Sequence, residues 1–504
     1  MATATVPDSS ERSIFAPRYR VVSLGIVVLM TIIAFEALAV ATALPTAARN
    51  LHGLASYGWA FTGFLVASIV GMVMSGTHCD RRGPRLPLLV GLVLFIAGLV
   101  IAGVAAQMWM LILARVVQGY AVGLAITAMY VMIGEVYPDE VRPRMFAALA
   151  TSWVVPGLVG PVVAGWITEQ LSWRWVFAGL APFAAIGGLM LLPSLRELRT
   201  GAAPASRMVR SGATSRVWFA LLTAIGIAGV AGVGERQNLL SVLLAVLGLA
   251  AMLYGLHRLL PAGTARFAPG VPTAIAYRGV LSGVFVGMEV LVPLTLSVQR
   301  HYSPTMAGMP LMLTAITWAI ASQLQGRAAN PNRPRLLAIG LIQMAVAGFG
   351  MALVATRLVP GWGAFVAWPI GGFGAGFALT SVSVSLLEFT NDADRGSDSS
   401  SLQLADSALA AVSAAFSGAL VALAATGRIS YQAGLSIAFV TFAVLALLAV
   451  GRSGRLRPAE ESPAGDRPAE PGEPAGQRLR SPVVAAGHEL GSPVEASAPR
   501  AVSS

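Results

Sequence analysis

Four ionisable side chains lie inside long apolar stretches of the sequence: Glu36, Arg115, Glu289 and Asp406. A charged group at the centre of a bilayer costs at least about 2.5–3.5 kcal/mol, so an unused one is seldom retained. A carboxyl group in such a place can take up and release a proton, or it can neutralise a cationic ligand. These four residues are therefore our candidates for proton coupling.

Glu36 and Arg115 fall at matching depths in two of these stretches. Glu36 lies about eight residues before the end of its stretch, and Arg115 about seven residues after the start of its own. At about 1.5 Å per residue, both lie roughly 10–12 Å below the same surface, which permits an ion pair. The pair is either a permanent salt bridge between helices or a proton site in which protonation of Glu36 releases Arg115.

Glu289 and Asp406 have no arginine placed beside them by the sequence. Burial disfavours the charged form of a carboxyl group, and this suits Glu289 to loading and unloading protons. The alternative is a neutral Glu289 that is hydrogen-bonded to Thr or Gln neighbours. Asp406 is predicted within about two turns of a helix end, where it is either functional or simply solvated.

A short segment, GTHCDRRGPR, concentrates charge between two apolar stretches. An acid and several arginines at this place can pair with each other or with a neighbouring helix end, and a closing gate needs such a latch. The alternative is an ordinary basic loop of a membrane protein. The candidate gate residues are Gly76, Asp80, Arg81, Gly83 and Arg85.

The elements that carry these residues follow from the composition. The chain has 504 residues, 56% of them apolar and only 11% charged, whereas soluble domains carry about 25% charged residues. It needs a bilayer as solvent, crossed by helices of about 20 residues. We predict an all-α membrane protein with fourteen spans, or twelve if the glycine-rich seventh and eighth do not cross. The predicted spans are 21–44, 57–77, 86–106, 108–133, 145–168, 173–193, 216–233, 239–256, 276–298, 305–325, 335–356, 362–388, 401–425 and 430–450.

The arginines set the predicted orientation. With the N-terminus inside, seventeen fall in the inner loops and six in the outer loops, as the positive-inside rule requires. We therefore expect a multi-pass protein of the plasma membrane with both termini cytoplasmic. The polar segment from residue 452 onward cannot bury enough apolar surface to fold, so we predict a disordered tail. The predicted parts are a cytoplasmic N-terminus (1–20), a six-helix bundle (21–200), a linker with two extra helices (201–270), a second six-helix bundle (271–451) and the tail (452–504).

Two pairs of segments show an internal repeat. The segment 76–85 is echoed by 326–335, and QGYAVGLA at 118–125 is echoed by GGFGAGFA at 371–378, which puts Trp368 in the place of Arg115. Two six-helix halves separated by an inserted pair would produce this pattern. Repeated halves around a site at the midplane are the architecture of many secondary transporters.

Several of these motifs resemble those of the major facilitator superfamily. The segment 76–85 is similar to its loop signature G-x-x-x-D-R-x-G-x-R, and RVVQGYAVG, from Arg115 to Gly123, is similar to its R-x-x-Q-G-x-x-x-G helix motif. WVVPGLVGPVVAGW in the fifth span resembles the G-P-x-x-G-G motif of antiporters, although Ala164 replaces one glycine. The antiporter-motif residues are Pro156, Gly160, Pro161 and Gly165.

The likeness is strongest to the fourteen-helix drug:proton antiporter group. FEALAVATALP, with Glu36 as its acid, resembles the motif of that group in the first span, and WRWVF at 173–177 resembles a later one. The resemblance implies proton-coupled efflux of hydrophobic or cationic drug-like molecules by alternating access. The alternatives are an exporter of a self-made metabolite such as an antibiotic or siderophore, a proton-symport importer, and a receptor that transports nothing.

Other chemistry is disfavoured. All 34 basic residues are arginine, so there is no phosphate-binding loop with its lysine, and the five histidines are not spaced for a metal. We expect no enzyme activity, no metal and no cofactor other than a proton gradient. The expected partners are a small-molecule substrate, protons and the lipid bilayer, with no nucleic acid, and we expect a monomer. Residues that either line an amphiphilic cavity or merely pack are Gln118, Tyr130, Met288, Trp318 and Trp368.

Overall fold

The computed structural model describes residues 13–138, 140–197, 207–232, 239–327, 332–391 and 395–458, and the regular structure in these ranges is helical. Twelve helical segments of this part of the chain are long and apolar enough to cross a membrane. The predicted class, an all-α membrane protein, is confirmed. The N-terminal residues 1–12, parts of the linker and the tail from 459 lie outside the described residues.

The helices form two bundles. The first bundle comprises α1 (Arg20–Asn50), α2 (Tyr57–Arg82), α3 (Arg85–Gly103), α4 (Met108–Val136), α5 (Arg142–Thr151), α6 (Val154–Gln170), α7 (Trp173–Ala178) and α8 (Ala181–Glu197). The second comprises α11 (Val271–Glu289), α12 (Val292–Leu294), α13 (Pro304–Arg327), α14 (Arg333–Ala355), α15 (Ala364–Phe389), α16 (Arg395–Ala425) and α17 (Tyr431–Val450). Between them lie α9 (Arg207–Ala231) and α10 (Leu239–Leu259).

Three of the predicted spans are interrupted, and a proline explains each interruption. Proline has no N–H to donate to the carbonyl four residues earlier, and its ring crowds that carbonyl. Pro156, Pro182 and Pro293 each stand four residues after the place where a helix ends or breaks. As a result α5 is separated from α6, α7 from α8, and α11 ends at Glu289. The ninth span then continues through α12 and a π-helical turn, Thr295–Gln299.

The predicted internal repeat appears as equivalent helix contacts in the two bundles. A Cβ placed on Gly119 of α4 would collide with the backbone of Phe64 in α2. In the second bundle, a Cβ on Gly372 of α15 would lie 2.5 Å from the carbonyl oxygen of Thr314 in α13. Small residues let membrane helices approach closely. The glycine that permits this contact in α4 recurs in α15, 253 residues later.

The two ends of the bundles differ in charge. We call the end where α2 meets α3, at Arg82 and Arg85, the arginine-rich end, and the end where α1 meets α2, at Asn50 and Tyr57, the arginine-poor end. The residues that follow α17 are fixed at the arginine-rich end. Arg455 donates to the carbonyl of Arg266 at 2.8 Å. The first seven residues of the predicted tail, 452–458, are thus part of the described structure.

Helices α9 and α10 form a hairpin that lies across both bundles. A Cβ on Gly255 of α10 would lie 2.8 Å from the carbonyl of Phe219 in α9. An apolar cluster joins this hairpin to α2 and α16. Its buried members are Ile69, Ala220, Ile227, Ala231, Met252, Leu404, Ala408, Ala411 and Ala415. The 25 and 21 residues of α9 and α10 reach about 30 Å or more at about 1.5 Å per residue.

Candidate functional site

Glu36 and Arg115 contact each other inside the first bundle. The Arg115 guanidinium donates to Glu36 Oε1, and both side chains are almost completely buried. It also donates to Gln118 Oε1 at 2.8 Å and to the carbonyl of Ala60 at 3.2 Å. Its carbon Cζ lies 4.2 Å from the centre of the Phe64 ring. The arginine is therefore held by hydrogen bonds, an ion pair and a cation–π contact.

The acid of this pair is only half satisfied. Glu36 Oε2 and Gln118 Nε2 are buried and have no hydrogen-bond partner among the described residues. Leaving a buried polar group unpaired costs free energy, and the unpaired acceptor Oε2 and the unpaired donor Nε2 would satisfy each other in a second arrangement of these two side chains. Helix α1 extends beyond the predicted end of the first span at residue 44, through Pro45 to Asn50. Glu36 lies fourteen residues from that end, about 21 Å at about 1.5 Å per residue.

Glu289 occupies the end of α11 at the interruption of the ninth span. Its side chain is partly exposed, and within the described residues no hydrogen bond or ion pair reaches its carboxyl group. The predicted alternative of a Glu289 bonded to Thr or Gln neighbours is therefore not the arrangement seen. The spacing of 253 residues that relates α4 to α15 also separates Glu36 from Glu289. The spacing of 250 residues between the segments 76–85 and 326–335 would instead place Glu289 opposite Ala39.

Sequence reasoning missed a contact between the bundles at this interruption. The Tyr57 hydroxyl, at the start of α2, donates to the carbonyl of Val290 at 2.7 Å. This carbonyl immediately follows Glu289 and belongs to the turn that ends α11. Because the acceptor is a backbone carbonyl, no complementary pair of residue types predicts this contact. The only signal in the sequence is a tyrosine at the start of a span.

The five predicted cavity-lining residues separate into two groups. Trp318 is partly exposed, and Tyr130 is 43% exposed. Gln118, Met288 and Trp368 are fully buried. These three side chains pack rather than line open space.

An aromatic cluster lies one helical turn from Glu289. The Phe285 ring stacks on that of Trp368 at 5.2 Å and meets that of Trp318 edge-on at 5.3 Å. Phe285 precedes Glu289 by four residues, so both lie on the same face of α11. Phe285 and Trp368 are buried, so the partly exposed Trp318 is the ring of this cluster that a ligand can reach. An acid near such a ring is suited to a cation with an apolar body.

Asp406 is paired in the second bundle. Arg278 Nε donates to Asp406 Oδ1 at 2.5 Å, and Arg278 Nη1 donates to the Ser383 hydroxyl at 3.3 Å. The two charged side chains are 24% and 20% exposed. The predicted ninth span begins at residue 276, which puts Arg278 at its start, but α11 begins at Val271, so Arg278 lies two turns inside the helix.

We expect Asp406→Asn to cost about 1 kcal/mol of stability or less, since pairs that reach solvent are weak. Thermal unfolding of the purified protein in detergent measures this. Glu388→Gln, which removes the acid of an exposed pair with Arg333, is the matched control. A loss of about 3 kcal/mol or more, the cost of breaking a buried pair, would contradict this assignment.

Most of the candidate gate segment is helical rather than a loop. Gly76, Asp80 and Arg81 belong to the last turns of α2, and Arg85 begins α3. Gly83 turns the chain between them with φ of +83°, a conformation that favours glycine. The charges that act on the Asp80 carboxylate come from Arg216 of α9 and from Arg81. The inserted hairpin thus contributes a charge to this segment, which the sequence did not predict.

The antiporter-motif residues lie where α6 meets α13. A Cβ on Gly165 would lie 2.5 Å from Thr305 Cα, and one on Gly308 would lie 2.6 Å from the carbonyl of Pro161. Gly160 faces the Phe35 ring at 3.6 Å, and Pro156 is buried. Helix α6 continues through Pro161, and the fifth span is interrupted instead before Pro156, between α5 and α6.

The close contacts between the bundles lie at the arginine-poor end. There Gly58 of α2 touches Gly418 of α16, and the Thr305 amide donates to Glu169 Oε1 at 2.7 Å. In the described part of the chain, the exposed surfaces of Glu289, Trp318 and Tyr130 lie deeper in the bundle or towards the opposite end. These contacts close the arginine-poor end.

Comparison with known proteins agrees with this architecture. The sequence profile of the Major Facilitator Superfamily matches residues 24–402. A probable multidrug-efflux transporter of Mycobacterium tuberculosis is 25% identical over 426 residues, which cover 81% of this chain and 88% of the relative. A POT family transporter crystallised with 5-aminolevulinic acid has a TM-score of 0.64 at 15% identity, covering 86% of this chain and 96% of that one. This structural likeness shows the fold alone.

Other relatives match over shorter stretches. An uncharacterized transporter of Schizosaccharomyces pombe is 30% identical over 192 residues, 38% of this chain and 32% of that protein. A multidrug transporter protein of Bacillus subtilis is 27% identical over 172 residues, 34% of this chain and 32% of the relative. The chain thus spans about a third of the length of these relatives.

Proposed function

Because the chain belongs to the major facilitator superfamily, we propose that it exports hydrophobic or cationic drug-like molecules in exchange for protons. One observation carries the proposal. Glu289 is a partly exposed carboxyl group without a partner in the described structure, and it stands at a helix interruption. The multidrug-efflux name of the Mycobacterium relative supports the direction of transport.

We place the arginine-rich end in the cytoplasm, because basic loops stay on that side. Both termini are then cytoplasmic, the membrane is the plasma membrane, and the observed conformation is open to the inside. Helices α9 and α10 add two crossings, which gives fourteen in total and leaves the orientation of the second bundle unchanged. Both bundles belong to one chain, so the transporter works as a monomer without a cofactor.

In the proposed cycle, the substrate and the proton exclude each other at Glu289. A cationic substrate entering from the cytoplasm meets the ionised carboxylate, and its apolar body lies against Trp318. After the bundles rock and the substrate leaves, a proton from outside binds the Glu289 carboxylate. With Glu289 protonated, the empty carrier returns to the conformation that faces the cytoplasm. The proton then dissociates there and leaves the Glu289 carboxylate ionised again.

The Glu36–Arg115 pair has a second role in this proposal. Protonation of Glu36 would remove the ion pair and leave Arg115 with Gln118 and the carbonyl of Ala60 as its acceptors. This changes the packing of α1 against α4 and α2, which are the helices that must shift when the bundle rocks. Glu36 thus couples proton binding to the conformation, and Glu289 couples it to the substrate.

The test is ethidium extrusion by the full chain in energised vesicles, recorded together with proton flux. We expect Glu289→Gln and Glu36→Gln each to abolish proton-driven extrusion, while Glu388→Gln, at a carboxyl group that is 49% exposed, leaves it unchanged. Glu289→Gln should also weaken the binding of a cationic dye to the purified protein. Full extrusion by both variants would refute proton coupling at these sites.

A further inference from the structure

A groove runs along the outside of the first bundle, between α2, α4 and the inserted helix α9. Its volume is about 430 Å³, within the range of about 300–1,000 Å³ found for small-molecule sites. It is distinct from the space between the bundles where Glu289 lies. Lining residues from its three walls include Trp59, Gly63, Ala67, Val70, Val116 and Ala228.

Three small residues among its lining keep the groove open. Gly63 forms the floor, where an added Cβ would lie 3.0 Å from Val116 Cγ2 of α4. Ala67 and Ala228 leave the space between α2 and α9 unfilled. Beside the groove the hairpin packs on α2, where Ile69 is buried in one apolar cluster with Ala220 and its neighbours.

The position and length of the groove fit one leaflet of a bilayer. Along α2 it runs from Trp59 to Val70, eleven residues or about 16 Å at about 1.5 Å per residue. Half of a hydrocarbon core of about 30 Å is about 15 Å. Helix α2 begins at Tyr57 at the arginine-poor end, so the groove occupies the half of the membrane nearest that end.

The chemistry of the groove selects its occupant. The surface that it exposes is entirely apolar, and no charged side chain lines it. It is continuous with apolar residues that face outward, since Leu113 of α4 is 48% exposed and Ile225 of α9 is 67% exposed. Trp59 stands at the end nearest the membrane surface, where indole rings lie at the level of the lipid head groups.

We propose that this groove binds one acyl chain of a phospholipid from the leaflet at the arginine-poor end. The chain fills the space between α9 and the pair α2 and α4, with its head group beside Trp59. The lipid then becomes part of the packing that holds the inserted hairpin against the first bundle. This site is independent of the exported substrate, so it stands or falls separately from the proposed function.

The test uses the full chain in detergent, titrated with a phospholipid whose acyl chains carry bromine, which quenches nearby indole fluorescence. The contribution of Trp59 is the difference between the natural protein and Trp59→Phe. We expect this contribution to be quenched in a saturable manner at low lipid-to-protein ratios. Ala67→Phe, which fills the groove, should abolish the saturable component.

Two further variants serve as controls for this test. Ala228→Phe fills the groove from the other wall and should have the same effect, so a folding defect in Ala67→Phe does not decide the outcome. Val346→Phe, at a site on α14 that is 50% exposed, should leave the quenching unchanged. Quenching that rises without saturation, or that both groove variants retain, would overturn the proposal. Displacement of the brominated lipid by ethidium would also overturn it, because the occupant would then be the substrate.

Discussion

Arg115→Met is expected to lower the free energy of unfolding by about 3–5 kcal/mol, the loss found when one partner of a buried ion pair is removed. The variant leaves the Glu36 carboxylate buried beside Gln118 with no cation, and it removes three donated hydrogen bonds. Thermal unfolding in detergent, followed by helical circular dichroism at neutral pH, measures the change.

The double variant Glu36→Met/Arg115→Met is the decisive companion. Replacing both partners by apolar side chains removes the uncompensated charge, so we expect stability to return to within about 1–2 kcal/mol of the natural protein. Arg333→Met, which breaks an exposed pair, should cost about 1 kcal/mol or less. If Arg115→Met and Arg333→Met proved equally mild, the pair would contribute little to the packing of the first bundle.

Gly165→Leu is expected to drive the protein out of the conformation that is closed at the arginine-poor end. The first side-chain atom would already lie 2.5 Å from Thr305 Cα and 2.7 Å from the carbonyl of Pro304. Forcing extra atoms into a packed contact costs about 1–3 kcal/mol, and each 1.4 kcal/mol shifts an equilibrium about tenfold. Ethidium extrusion should fall steeply, because the carrier no longer returns to the inward-open conformation.

Labelling of a cysteine reports this shift directly. In a Cys79→Ser background, Tyr130→Cys provides a thiol on the side of α4 that is exposed in the observed conformation. Its reaction with a water-soluble maleimide should slow about tenfold when Gly165→Leu is added. Gly232→Leu, where an added Cβ meets no atom of the described residues within 4 Å, should leave the rate unchanged. An equal rate in all three proteins would mean that the α6–α13 contact does not control the gate.

The recurring apolar stretches and the scarcity of charged residues were sufficient to predict the helices, because each span must satisfy its own backbone hydrogen bonds in lipid. The contact of Glu36 with Arg115 was also foreseeable, since two opposite charges in hydrocarbon have few other partners. Asp406 and Arg278 form a similar pair that was missed for a simple reason. The predicted start of the ninth span lay five residues too late, which placed Arg278 near solvent and removed it as a partner.

Other features depend on tertiary contacts that residue types do not encode. The bond from Tyr57 to the carbonyl of Val290 joins a side chain to backbone, so no complementary pair of residues reveals it. The position of the hairpin is similar: its helices were predicted, but the surface that they cover depends on how α2 and α16 meet. The three helix interruptions were within reach, because Pro156, Pro182 and Pro293 stand four residues after each one.

The hairpin has a mechanical consequence. Helix α9 packs on α2 and α16 together, and packed helices slide past each other by only about 1–2 Å when domains shift. We therefore expect the hairpin to restrain the displacement of α2 relative to α16 when the bundles shift, while the α6–α13 contact has no inserted helix across it among the described residues.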